Sequence, residues 1–97
     1  MPYIHQESRS QLDPFIDNLC EELAENDFVP GELNYVVSTL LNEALKRKMN
    51  YAKINELIGM LECAKLELYR RVAGPYEDTK IRQNGEVYNV PSLVLIR

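Results

Sequence analysis

The chain has 97 residues, of which 45% are hydrophobic, and its formal net charge is −4. This length suits one small domain, and the apolar content excludes a wholly disordered protein. Because nucleic acids and anionic membranes are generally bound by a basic surface, the acidic charge argues against a generic binder of either, although it is compatible with a local basic pocket.

Residues 1–11 form a polar lead-in, without the apolar stretch that a secretory signal needs, and no apolar run is long enough to span a bilayer. We therefore expect a cytoplasmic protein. Cys20 and Cys63 each fall on or next to the apolar face of a predicted helix, which favours reduced, largely buried thiols; a Cys20–Cys63 disulfide is the alternative. With one histidine, His5, and no metal-ligand spacing, the sequence predicts no metal site and no cofactor.

The first predicted helix covers about residues 13–26. Asp13 can accept hydrogen bonds from the free amides of a first helical turn, and Pro14 is tolerated at the first helical position. Apolar residues then recur at steps of three and four, as in an amphipathic helix: Leu12, Phe15, Ile16, Leu19, Cys20 and Leu23. Asn26-Asp27 is the predicted end.

The second predicted helix covers about residues 32–48. Glu32 suits the positive end of the helix dipole, and Lys46, Arg47 and Lys48 suit the negative end. Its apolar stripe consists of Leu33, Val36, Val37, Leu40, Leu41, Ala44 and Leu45.

The third predicted helix covers about residues 51–72. One side of this helix follows a coiled-coil-like spacing of three and four, and Leu57 and Ala64 widen that side. The residues on this seam are Tyr51, Ile54, Ile58, Leu61, Lys65, Leu68 and Val72, all apolar or aromatic except Lys65. Lys65 occupies a position on this apolar seam. Its ammonium can reach solvent from an apolar stem or form a semi-buried pair with Glu62 or with a carboxylate of a partner.

The end of the chain, residues 79–97, is predicted to be a β-hairpin or an extended arm. Gly74-Pro75 indicates a helix stop, and Asn84-Gly85 lies between two short extended runs, a signal for a tight hairpin turn. The apolar tail from Val90 to Ile96 is expected to cross to a second subunit, because an exposed β-prone edge invites aggregation.

Together these signals predict a mainly α protein, a three-helix antiparallel bundle with the short C-terminal hairpin or arm. A dimer or tetramer is expected rather than a monomer, because a chain this short would otherwise expose much apolar surface.

Charged and aromatic residues cluster at the end of the third helix and just after it. Guanidinium groups can grip an oxyanion with paired hydrogen bonds, and tyrosine can stack on a nucleobase, so this cluster is the candidate ligand-binding surface. The alternative is an ordinary charged helix end with packing tyrosines. The candidate residues are Glu62, Lys65, Tyr69, Arg70, Arg71 and Tyr76.

An enzyme is the competing class. Glu22 and Glu25 have the one-turn spacing of magnesium ligands in helical nucleotide pyrophosphohydrolases, but Glu62 and Glu67 lie five residues apart, where a second pair should lie one turn apart. Cys63 has no histidine that the sequence places beside it, and no catalytic residue is predicted.

Several segments resemble one family of small uncharacterised proteins that are frequent in phage and prophage genomes. The resemblance covers nearly all of residues 3–88 and rests above all on the long helix motif at 54–71; the tail after Tyr88 extends beyond the usual end of the family. The segments are LNYVV at 33–37, INELIGMLECAKLELYRR at 54–71, PYED at 75–78 and NGEVY at 84–88. The resemblance implies a phage-type accessory protein of the bacterial host cytoplasm, and the family has no established activity to carry over.

Three functions follow as hypotheses. The first is a non-enzymatic protein that binds a host factor or sequesters a small anionic, nucleotide-like ligand, and so counteracts a host defence. The second is a magnesium-dependent nucleotide pyrophosphohydrolase-like enzyme. The third is a purely structural assembly protein.

Overall fold

The structure is a computed structural model that describes residues 2–91, and in this range the chain is mainly helical, as predicted, with no β-strand. Four α-helices follow one another: α1 (Gln6–Ala24), α2 (Pro30–Arg47), α3 (Tyr51–Leu68) and α4 (Gly74–Asn84). A five-residue π-helix, Tyr69–Ala73, separates α3 from α4. The chain divides into two compact units between Leu61 and Glu62. The antiparallel order of the helices and the single domain stay predictions.

Helix α1 begins at Gln6, well before the predicted start at Asp13-Pro14. The prediction that residues 1–11 lie outside the helix is therefore wrong from Gln6 onward, and Pro14 lies inside the helix. The first turns of α1 form before Pro14 is reached: the Arg9 amide donates to the His5 carbonyl at 3.1 Å, and the Ser10 hydroxyl donates to the Gln6 carbonyl at 3.1 Å. Because Gln, Glu, Arg and Leu favour helix, residues 6–12 can extend the helix backwards despite the amide that Pro14 lacks.

A tight turn joins α1 to α2. Asp27 and Phe28 both adopt left-handed backbone conformations, with φ of 55° and 54°. The Phe28 amide donates to the Leu23 carbonyl at 2.9 Å, and the Asn26 side-chain amide donates to Glu32 at 2.7 Å. The first bond holds the turn against the end of α1, and the second joins the turn to the first turn of α2, where Glu32 lies as predicted.

Helices α2 and α3 have nearly the predicted bounds. Lys46 and Arg47 lie in the last turn of α2, as expected from the helix dipole. The Asn50 side chain accepts a hydrogen bond from the Lys53 amide at 2.7 Å, so this residue caps the start of α3.

The predicted stop at Gly74-Pro75 is wrong, because α4 begins there. The Gly74 amide donates to the Tyr69 carbonyl, five residues back, which is the wider π-type turn. Pro75 follows in the first turn of α4, where its missing amide costs little. A proline signal therefore marks a change of helix type here and not the end of the helical region.

The predicted hairpin is also wrong. Residues 80–84 belong to α4, and the Gly85 amide donates to the Ile81 carbonyl at 2.8 Å. Gly85 has a φ of 97°, so the Asn-Gly pair ends a helix with the same backbone freedom that a hairpin turn would use. Residues 85–90 have neither helix nor strand. The predicted crossing arm, Val90 to Ile96, lies mostly outside the described residues.

Little of the described chain is buried. Leu23, at the C-terminal end of α1, is 8% exposed and is the buried hydrophobic residue of the described range. Cys20 and Cys63 are free, as predicted, but both are exposed, so their predicted burial is wrong. The prediction took apolar helix faces to be packed in a core, whereas in this single chain those faces meet solvent.

Candidate functional site

The predicted cations at the end of α3 are paired within their own helix. Lys65 Nζ lies 3.2 Å from Glu62 Oε1, and Arg70 Nη2 lies 2.8 Å from Glu67 Oε1. The Lys65 side chain is 72% exposed, so its pair with Glu62 lies at the surface and the predicted semi-buried pair with Glu62 is wrong. Its contact with a carboxylate of a partner stays a prediction. Such surface pairs contribute about 0.2–0.5 kcal/mol each. They also neutralise two of the three positive charges that were expected to grip an anion.

The third cation, Arg71, lies on the π-helix and is exposed. No ion pair within residues 2–91 uses it. Its guanidinium is thus available to a ligand or a partner.

Tyr69 connects the π-helix to α4, because its hydroxyl donates a hydrogen bond to the Glu77 carboxylate. This bond, followed by the negative charge of Glu77, raises the pKa of Tyr69, with smaller contributions from burial and from Tyr88. Tyr69 is still 55% exposed. The bond therefore orders a tyrosine on the surface and does not bury it.

Tyr76, on the first turn of α4, is paired with a cation. Lys80 Nζ lies 5.5 Å from the centre of the Tyr76 ring, within the range of a cation–π contact. Tyr76 is 63% exposed and Tyr88 is 71% exposed. Three exposed tyrosines and Arg71 thus belong to one unit of the chain, and we call them the tyrosine surface: Tyr69, Arg71, Tyr76 and Tyr88.

Sequence reasoning did not include Glu77, Lys80 or Tyr88 in the site. Glu77 lies eight residues after Tyr69, which is a neighbouring position only if helix continues through Pro75. The predicted stop removed that signal. An open pocket of about 290 Å³ lies between the last turns of α4 and the segment after it. It is lined by Glu77, Lys80, Ile81, Asn84, Gly85, Glu86, Val87 and Tyr88.

The carboxylates of the alternative magnesium site line a different pocket. Glu22 and Glu25 border a space of about 350 Å³ together with Glu32, whose carboxylate accepts the Asn26 hydrogen bond. Within residues 2–91 no group of three or more His, Cys, Asp or Glu side chains is arranged to hold a metal ion.

The Tyr69–Glu77 bond makes a testable prediction for alkaline titration. Its hydrogen bond favours the protonated phenol, so the folded pKa of Tyr69 lies above the ordinary value of about 10. The stabilisation is complete below the unfolded pKa and is lost as the pH rises through the folded pKa. We expect the tyrosinate absorbance of the folded protein to contain a late-titrating component that Tyr69→Phe removes.

Glu77→Gln should shift that component to lower pH, because it removes the carboxylate charge. Glu21→Gln, which removes a carboxylate of α1, is the matched control and should leave the curve unchanged. A late component that survives in Tyr69→Phe would contradict the assignment.

No helix in the described part of the chain is both long and apolar enough to cross a membrane. Comparison with curated proteins found no match, and comparison with solved structures found none. Comparison with protein families matched residues 1–87 to one family, whose description is a domain of unknown function. The match covers most of the chain and includes α1 to α4 with Tyr69, Arg71 and Tyr76, whereas Tyr88 lies one residue beyond it. The chain therefore belongs to the DUF6899 family.

Proposed function

We propose that the protein is a non-enzymatic, phage-type accessory protein that acts in the bacterial host cytoplasm by binding a host protein. The observation that carries this proposal is the tyrosine surface, a set of exposed tyrosines in one unit of the chain that also holds an exposed arginine without an ion pair in the described range. Tyrosine and arginine are enriched among the residues that dominate the free energy of protein–protein binding. Counteraction of a host defence is the role that such binding would serve.

Order in the free protein supports the same proposal. The Tyr69–Glu77 bond and the Lys80–Tyr76 contact restrict two of the tyrosines before any partner arrives. Side chains that are already ordered lose less conformational entropy on binding. π-Helices, such as the one that carries Tyr69 and Arg71, are frequent at functional sites.

We also propose that the chain self-associates, as a dimer or a tetramer. Large apolar side chains are exposed on every helix of the described range, for example Phe15 at 73%, Leu40 at 64% and Leu68 at 64%. Extended exposed apolar surface usually marks an interaction site, and a second copy would remove part of it from water.

Sequestration of a nucleotide-like anion is the weaker form of the binding hypothesis. Lys65 and Arg70 already have carboxylate partners, so an incoming phosphate would have to displace Glu62 or Glu67. A nucleotide would still be expected to use Arg71 and a tyrosine face.

The deciding experiment is direct binding to a host protein that the full chain captures from a bacterial lysate. With both proteins purified, Tyr76→Ala should raise the Kd about tenfold or more, as expected for a hot-spot tyrosine. Tyr35→Ala is the matched control, because Tyr35 on α2 is 72% exposed but lies outside the tyrosine surface. Equal effects of the two variants would contradict the proposed surface.

Two other results would favour the competing functions. A thermal shift with nucleotides or cyclic dinucleotides, lost in Arg71→Ala and without turnover, would favour sequestration. Magnesium-dependent turnover of nucleoside triphosphates, lost in Glu22→Gln, would favour the enzyme. A protein that gives neither result and captures no host protein would fit a purely structural role.

A further inference from the structure

Helix α3 carries an apolar seam that the described chain covers only in part. The seam positions recur at steps of three and four within one continuous helix, Tyr51–Leu68, and so lie on one side of it. Ile54 is half-buried, but Ile58 is 60% exposed, Leu61 is 36% exposed and Leu68 is 64% exposed. The second half of the seam is therefore an uncovered strip of about three helical turns.

Lys65 interrupts this strip between Leu61 and Leu68. Its side chain is 72% exposed, and its Nζ lies 3.2 Å from Oε1 of Glu62, which borders the seam and is 55% exposed. A single lysine in a coiled-coil seam costs association energy but fixes the register, and charges beside the seam select the direction in which helices pair. The strip thus carries a cation and a carboxylate of its own.

Two copies of α3 can pair in two directions, and these charges distinguish them. In a parallel pair each seam position faces itself, so Lys65 would face Lys65 of the second copy. Glu62 would gain no cation, because the facing flank of the second copy holds Leu57 and Ala64. Since like charges that face each other weaken a contact, the parallel pair is disfavoured.

An antiparallel pair brings unlike residues together. With the two-fold axis level with Cys63 along the helix, each seam position faces the position equally far beyond the axis. Ile58 then faces Leu68 of the second copy. Leu61 faces Lys65 of the second copy, so neither lysine faces its own kind.

The same two-fold axis joins the charges across the contact. Lys65 and Glu62 lie three residues apart and so on neighbouring positions of the helix surface, about 4.5 Å apart along its axis. Across the antiparallel contact, Lys65 of one copy and Glu62 of the other differ by only one residue of rise, about 1.5 Å. Each lysine can therefore bind the carboxylate of the second copy as well as its own, and both contacts occur twice.

We propose that the protein self-associates through α3, with the strip from Ile58 to Leu68 packed antiparallel on the same strip of a second copy, and with Lys65 of each copy bound to Glu62 of the other. This inference rests on the proposed self-association and names its contact. Burial of the apolar residues supplies the affinity, and the four charges select the direction and the register.

The test separates the two charges onto different chains. Lys65→Glu leaves only carboxylates at the four charged positions of a dimer, and Glu62→Lys leaves only lysines. Each variant alone should therefore dimerise about tenfold or more weakly than the wild type in sedimentation equilibrium. Mixed in equal amounts, with a fluorescent label on one of them, the two should form a heterodimer about tenfold or more tighter than either homodimer, because every cation between the copies again faces a carboxylate.

Glu43→Lys and Lys46→Glu are the matched controls. This pair on α2 is also exposed and three residues apart, with 3.1 Å between Lys46 Nζ and Glu43 Oε1, and the two substitutions change the net charge by the same amounts. Both controls should dimerise like the wild type, alone and mixed. Circular dichroism shows whether each variant folds. Lys65→Gln and Glu62→Gln, which remove charge without repulsion, should weaken the dimer less, and they serve if a reversed chain does not fold.

Disulfide cross-linking tests the direction of the two helices. In a chain that carries Cys20→Ser and Cys63→Ser, the substitutions Leu61→Cys and Lys65→Cys are made separately. Because these two positions face each other in the antiparallel pair, mild oxidation of the mixture should join one variant to the other faster than either to itself. A parallel pair would give the opposite preference.

Reversed variants that dimerise alone as tightly as the wild type would overturn the α3 contact while self-association stands. Weakening without recovery on mixing, or equal weakening by the α2 controls, would also overturn it. Cysteine variants that cross-link mainly to themselves would overturn the antiparallel direction. A wild type that stays monomeric at high concentration would remove the self-association and the contact together.

Discussion

Replacing Pro14 by alanine should stabilise the protein by about 3 kcal/mol, the usual difference between proline and alanine in a helix interior. The structure places Pro14 well inside α1, which begins at Gln6. There the ring lacks the amide of a helical hydrogen bond and crowds the carbonyl of Ser10, four residues back. Urea unfolding followed by far-UV circular dichroism, at one fixed protein concentration, measures the change.

The sign of this effect distinguishes two positions of the helix start. If the helix began at Pro14, the proline would be at a favourable first position, and alanine would bring no gain. Pro30→Ala is the matched control, because Pro30 is the first residue of α2, and the free energy of unfolding should change by less than about 0.5 kcal/mol. A neutral or destabilising Pro14→Ala would contradict the long α1.

Leu23→Ala should lower the free energy of unfolding by about 2–3 kcal/mol, near the lower end of the range for buried leucine. Leu23 is the one buried hydrophobic side chain of the described range, at 8% exposure. Its carbonyl also accepts the Phe28 amide in the turn before α2, so the side chain lies where the two helices join. Calorimetry or urea unfolding measures the loss.

Leu66→Ala provides the comparison, since Leu66 on α3 is 55% exposed and the substitution is chemically identical. Its cost should stay below about 0.5 kcal/mol. Equal losses at the two positions would mean that Leu23 is not distinguished by burial, and that the exposed face of α3 is covered in solution.

In the candidate site, the predicted helix stop at Gly74-Pro75 also led to a wrong expectation for the residues on either side of it. Glu62–Lys65 and Glu67–Arg70 could be predicted, because residues three apart on a helix are adjacent whatever the rest of the chain does. Tyr69–Glu77 could not, because Gly74-Pro75 predicts that the helix ends between them. The π-turn places Pro75 in a new first turn, where proline is tolerated, and this keeps Tyr69 and Glu77 within reach.

Asn84-Gly85 was ambiguous for a similar reason. A glycine with positive φ serves a hairpin turn and a helix end equally well, and Gly85 has a φ of 97° at the end of α4. Which of the two forms depends on the residues before it. Since α4 reaches Asn84, the glycine ends a helix.

The sequence by itself determined the helical class, the bounds of α2 and α3 and the pairing of charges one turn apart, because spacing, caps and helix-end charges act over a few residues. Its match over residues 1–87 also determined the family. Only the tertiary structure decided that α1 continues through Pro14, that Tyr69 binds Glu77 and that both cysteines are exposed. The first two outcomes depend on whether a helix continues past a proline, which the proline alone does not show. The third depends on which surfaces find a packing partner. An apolar stripe shows that a helix face can be buried, but not whether its own chain or a second copy covers it.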